Sequence, residues 1–109
     1  FITTACMKAQ GSQFDDNCHE LVKLREVRDN YIAHLEHGPA LIAAYKEFAP
    51  KYVEMINRLE DSDKVWSDLH TMFIGPAVKF ADQGDNKRAY LTYLLMLQYI
   101  QEVTSFGGA

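Results

Sequence analysis

Few residues in this chain carry reactive chemistry, and the densest group of them is "DDNCHELVKLREVRD", residues 15–29. Cys18 follows Asp15, Asp16 and Asn17 and stands where a helix begins. A thiol at a helix N-terminus has a depressed pKa, and that is the usual environment of a reactive cysteine. The two aspartates work against this, because nearby negative charge disfavours a thiolate. His19 is adjacent, but consecutive helical residues point about 100° apart, so adjacency alone makes no Cys–His ion pair. Cys6 is the second thiol. The pair could form a disulfide or share a metal, although two ligands do not make a zinc site. Both also read as the small buried hydrophobes that free cysteines usually are.

Arg25, Arg28 and Asp29 offer a different chemistry. Arg25 and Asp29 have the i,i+4 spacing of a helical ion pair. Arg28 falls nearly on the apolar stripe, so its stem should lie along the core edge and its guanidinium should pair with a carboxylate or a loop carbonyl. Asp15 and Asp16 can serve if the loop folds back. The alternative is an anion site built on the guanidinium forks. His34 and His37 in "AHLEH" are spaced i,i+3, with Glu36 and the distant His70 as further metal ligands. HxxH is a weak zinc signal, and histidines near a helix end also complement the negative end of its dipole. There is no GxSxG, HExxH, P-loop or GxGxxG. No cofactor is expected, and the balance leans away from an enzyme.

The elements that must position these groups read as helices. Residues 1–16 contain β-branched Ile2, Thr3 and Thr4 and then Gly11 and Ser12, which predicts an extended arm and a loop. Asn17 and Glu20 have capping-box spacing, so a helix is predicted over 17–37, with the stripe Leu21, Leu24, Val27 or Arg28, Tyr31, Leu35. Gly38 suits the left-handed position after that helix, and Pro39 blocks its continuation. A second helix over 39–60 carries Leu41, Tyr45, Phe48, Tyr52, Met55 or Ile56, and Leu59 across Pro50, where a kink is predicted. A third, over 62–83, starts at Ser62 and carries Trp66, Leu69 or His70, Phe73, Ala77 and Phe80, with a kink at Gly75-Pro76 and an end at Gly84. The fourth, over 86–103, includes "AYLTYLLMLQYIQEV" and is apolar on nearly every side, which places it centrally or against a partner. Residues 104–109 read as a frayed tail. The architecture is an all-α single domain over 1–109, a compact bundle of four to five helices with an N-terminal arm.

Composition is consistent with this. The 109 residues are 48% hydrophobic and 24% charged, as in globular domains, and the net charge is −4. Lys and Arg are dispersed rather than clustered, which argues against a nucleic-acid surface. No apolar run approaches the roughly 20 residues of a membrane span. Two cysteines without disulfide spacing lean slightly toward the cytoplasm but leave the compartment open. Phe1 is no translation start, so the chain reads as a fragment or processed product.

Four segments, Phe1–Ala5, "DDNCHEL", "LREVRDNYI" and "YKEFAPKYVEMI", resemble in order the bacterial CFI-box C-terminal domain over residues 1–59. The resemblance implies an appended module of a larger bacterial protein, without an assigned activity. The matching positions are Ile2, Thr4, Cys18, Leu24, Arg25, Arg28, Asp29, Tyr45, Ala49 and Pro50. The cysteine that opens the family box would precede Phe1, and Val27 stands where the family has Phe. The functional expectation is a non-enzymatic helical module that associates with parent-chain domains, a protein partner or, through helix 86–103, a second copy. The alternatives are thiol chemistry at Cys18 with Cys6, and an anion or small-ligand site using Arg25 and Arg28.

Overall fold

The computed structural model of the chain describes the backbone of residues 1–108 and the side chains through Thr104. It is all-α. Among the described residues five helical rods pack together: α1 (Ile2–Gln10), α2 (His19–Asn30), α3 (Gly38–Asn57), a composite fourth rod, and α6 (Asn86–Gly108). The composite rod runs through α4 (Ser62–Asp68), a π-helical segment (Leu69–Ile74) and α5 (Gly75–Asp82). The radius of gyration is 13.6 Å, which matches one compact domain of this length.

The first departure from expectation is α1. The predicted extended arm is a helix, despite its β-branched start. Phe1, Ala5 and Cys6 lie on one face and are buried, so core packing overrides weak local propensity. Its N-terminus is finished from far away, because the backbone nitrogens of Phe1 and Ile2 both donate to Tyr45 Oη, at 3.2 and 3.3 Å. Helix N–H groups without an intrahelical acceptor need such a partner. The Phe1 ring packs on Tyr45 and Tyr52, with centroids 4.9 and 6.3 Å away. Gly11, at φ 57°, turns the chain out of α1.

The predicted helix over 17–37 is shorter than its stripe. It begins at His19 with Cys18 as its N-cap and ends at Asn30; a 3₁₀ turn, Ile32–His34, follows. Gly38 has no left-handed role. It opens α3, and a Cβ there would lie 1.6 Å from the carbonyl oxygen of Ile32, so glycine is required by contact between two backbones. Pro50 lies inside α3 without ending it.

The irregularity expected near Gly75-Pro76 is the π-helical segment directly before it. Proline crowds the carbonyl four residues back and brings no N–H. The chain widens one turn ahead of it, and the Gly75 N–H donates to the carbonyl of His70, five residues earlier. Gly84 ends the rod at φ 76°, as predicted. The fourth predicted helix continues through Gly108 rather than fraying from 104, and Ala109 lies outside the described residues.

The main core joins Phe1, Ala5 and Cys6 to Leu21, Ile56, Trp66, Leu69, Ile74, Met96 and Ile100. The Trp66 indole N–H is satisfied by Asn57 Oδ1 at 2.9 Å. Phe48, placed on the inward stripe of α3, is instead 44% exposed, and of the alternatives Met55 and Ile56 it is Ile56 that is buried. No helix among the described residues is long and apolar enough to cross a membrane.

Candidate functional site

Two places gather chemistry. The first lies where α1, α2 and the π-helical segment meet. His70 Nε2 is 2.7 Å from Glu20 Oε2, and Gln10 Nε2 donates to Glu20 Oε1 at 2.8 Å. Cys6 lies beneath them, fully buried. One ligating atom from each of Cys6, Glu20 and His70 falls within 4.8 Å of the others. Burial, then the charges of Glu20 and Cys18, push the Cys6 thiol up to about 12. The thiol is therefore protonated and a weak nucleophile near neutral pH.

Sequence reasoning assigned Glu20 to a capping box with Asn17, and that assignment is corrected. The Asn17 N–H donates to Asp15 Oδ1 at 2.8 Å in a local turn, and the cap residue Cys18 makes no side-chain capping bond. Glu20 is thereby free to reach across to His70. Cys18 is thus the cap and not the first helical residue. It is half-buried, and its Sγ accepts from Gln10 Nε2 at 3.6 Å. Neither cysteine is in a disulfide.

The histidines singled out earlier are elsewhere. His34 lies on the 3₁₀ turn and His37 just before α3, both exposed, as is Glu36. None belongs to the cluster that His70 enters. His19 instead pairs with Asp82 on α5, its Nε2 2.8 and 2.9 Å from the two carboxylate oxygens.

The second place is a cleft of about 170 Å³ between α1, α2, α3 and α6. Its walls are mainly apolar, including Ile2, Leu24, Val27, Ile42, Ala89 and Tyr93, and Arg25, Arg28 and Lys46 also line it. Tyr45 stands in the wall, its hydroxyl held neutral because burial raises its pKa. The arginines keep partners, but not the predicted ones. Arg25 does not pair with Asp29; it donates to the Asp16 backbone oxygen at 2.8 Å and to Asp16 Oδ1 at 2.9 Å, so the loop does fold back. Arg28 takes Asp29, its Nε 2.8 Å from Oδ1. This hydrogen bond holds the Asp29 carboxyl below its ordinary value. Lys46 makes no ion pair among the described residues. Three cations facing two carboxylates leave one positive charge at the cleft. Tyr45, Tyr93 and Lys46 were not assigned to a site from sequence, since nothing local marks a wall assembled from four helices.

The apolar last helix buries Ala89, Met96 and Ile100 and leaves Leu91 and Leu95 45% and 57% exposed.

Comparison of the chain with protein-family models, curated proteins and solved structures finds no match.

Proposed function

We propose that this domain is a non-enzymatic helical interaction module whose working place is the cleft between α1, α2, α3 and α6. Its occupant is one apolar side chain beside a carboxylate, presented by a partner protein. The observation that carries the reading is the joining of an apolar pocket with a positive rim on a chain of net charge −4. A cavity of about 150 Å³ accepts a benzene ring, so about 170 Å³ suits one aromatic or branched side chain. The rim supplies orientation. Exposed ion pairs such as Arg25–Asp16 and Arg28–Asp29 contribute little to stability, so an incoming carboxylate can exchange with them at small cost. Five of the positions that carry the likeness to the CFI-box family (Ile2, Leu24, Arg25, Arg28, Tyr45) line this one cleft. That convergence supports reading the likeness as a shared binding role.

Thermal denaturation with small probes tests the reading. Phenylacetate should raise the melting temperature, and phenylacetamide, of the same shape without the charge, should raise it less. Lys46→Glu, on an exposed side chain, should abolish the difference between them. Equal or absent responses to the two probes in the parent protein would count against the proposal.

A further inference from the structure

We propose that Cys6, Glu20 and His70 form a binding site for a divalent cation of the zinc class, with Gln10 orienting the carboxylate. The donor set is one sulfur, one imidazole nitrogen and one carboxylate oxygen. Zinc takes all three, whereas magnesium and calcium prefer oxygen alone. Each ligand comes from a different element, α1, α2 and the π-helical segment, so the site exists only in the folded chain. With zinc–ligand bonds of about 2.0–2.3 Å, tetrahedral ligands stand roughly 3.4–3.6 Å apart. The three atoms already lie within 4.8 Å of one another, so rotamer-scale shifts close them on one ion.

Three further features point the same way. Gln10 holds Glu20 Oε1 at 2.8 Å and leaves Oε2 to face His70, which is how outer groups orient metal-binding carboxylates. His70 and Glu20 side chains are 27% and 22% exposed, which gives an ion an entry side, while Cys6 closes the bottom. A coordinating thiol gives up its proton to solvent when the ion binds. His70 itself sits in a π turn, a feature found frequently at functional sites. The ion would replace the direct His70–Glu20 hydrogen bond as the link between α2 and the composite rod.

Metal-stripped protein titrated with Co²⁺ and with Zn²⁺ tests this. One ion per chain should bind, and cobalt should give a thiolate-to-metal charge-transfer band with tetrahedral d–d absorption. Cys6→Ser should remove the charge-transfer band. His70→Gln, on a partly exposed side chain, should keep the metal-free fold by circular dichroism and lower affinity at least tenfold. Gln10→Ala should lower it about 10–100-fold, the usual effect of losing an outer-sphere partner. The His34→Ala/His37→Ala double variant should bind as the parent does. The absence of a charge-transfer band from the parent protein would overturn the proposal even if the Cys6 variant failed to fold. Unchanged affinity in His70→Gln, or loss of binding in the double variant, would overturn it as well.

Discussion

His70 Nε2 lies 2.7 Å from Glu20 Oε2 although the two residues are 50 positions apart. That contact ties α2 to the π-helical segment, and through Gln10 it reaches α1 as well. Three rods are thus joined at one carboxylate. Charge and hydrogen bonding act there at a partly buried place, where solvent screens less than at the surface.

Removal of that carboxylate should be felt by two donors at once. Glu20→Ala is expected to destabilise the metal-free domain by about 1.5–3 kcal/mol, the range for hydrogen bonds to charged groups. Urea denaturation gives the value. A double-mutant cycle with His70→Ala should show coupling between the two sites, whereas strictly additive losses would mean that the contact contributes nothing.

Cys6 and Cys18 should separate cleanly in a thiol-labelling experiment. Burial raises the Cys6 pKa to about 12, and the side chain is fully buried, so it should resist alkylation in the folded protein at neutral pH. Half-buried Cys18 should label first, and both should label in denaturant. The same shift has a sign in stability. Well below its ordinary value of 9.0 the thiol is protonated in both states and favours neither. Above that the unfolded chain loses the proton while the folded chain keeps it, so stability should fall as pH rises from about 9 toward about 12. In Cys6→Ala this part of the alkaline slope should be reduced.

Two glycines should lose very different amounts of stability on substitution by alanine. At Gly38 the new Cβ meets the Ile32 carbonyl oxygen at 1.6 Å, and such a clash of backbones should cost more than about 4 kcal/mol or prevent folding. At Gly11 nothing lies within 4 Å, and the strain is in the backbone alone, since φ 57° with ψ −129° is a conformation kept for glycine, at about 1–3 kcal/mol. Comparable melting temperatures for the two variants would contradict the packing described for the start of α3.

The Tyr45 hydroxyl should be worth more to α1 than to the rest of the fold. Tyr45→Phe removes the acceptor for the Phe1 and Ile2 nitrogens while keeping the ring that packs on Phe1. The global loss should be about 0.5–1.5 kcal/mol. Hydrogen exchange should quicken in Ile2–Gln10 well before it quickens in α6.

Helix type was legible because the stripes through Leu21 and Val27 and through Trp66 and Leu69 are regular, and because the last helix is apolar on nearly every side. α1 was not, since its cap is a tyrosine hydroxyl more than forty residues away and its stripe is only Phe1, Ala5 and Cys6. The arginine partners were half legible. A link from the aspartate loop to the arginines was foreseen, but it goes to Arg25, and Asp29 turns to its neighbour Arg28. Glu20 misled because capping-box spacing is a local pattern, and the longer-range contact with His70 won over it. The ambiguous "Leu69 or His70" position was the one sequence signal that His70 borders the core.

The most direct test of the binding account is where the charged probe binds. Phenylacetate titrated into isotopically labelled protein should perturb backbone amide resonances of Ile2, Leu24, Ile42, Tyr45 and Ala89 together, with a common affinity that Lys46→Glu weakens. Perturbations confined to other surfaces, such as the exposed Leu91 and Leu95 face of α6, or no saturable shift at all, would contradict it.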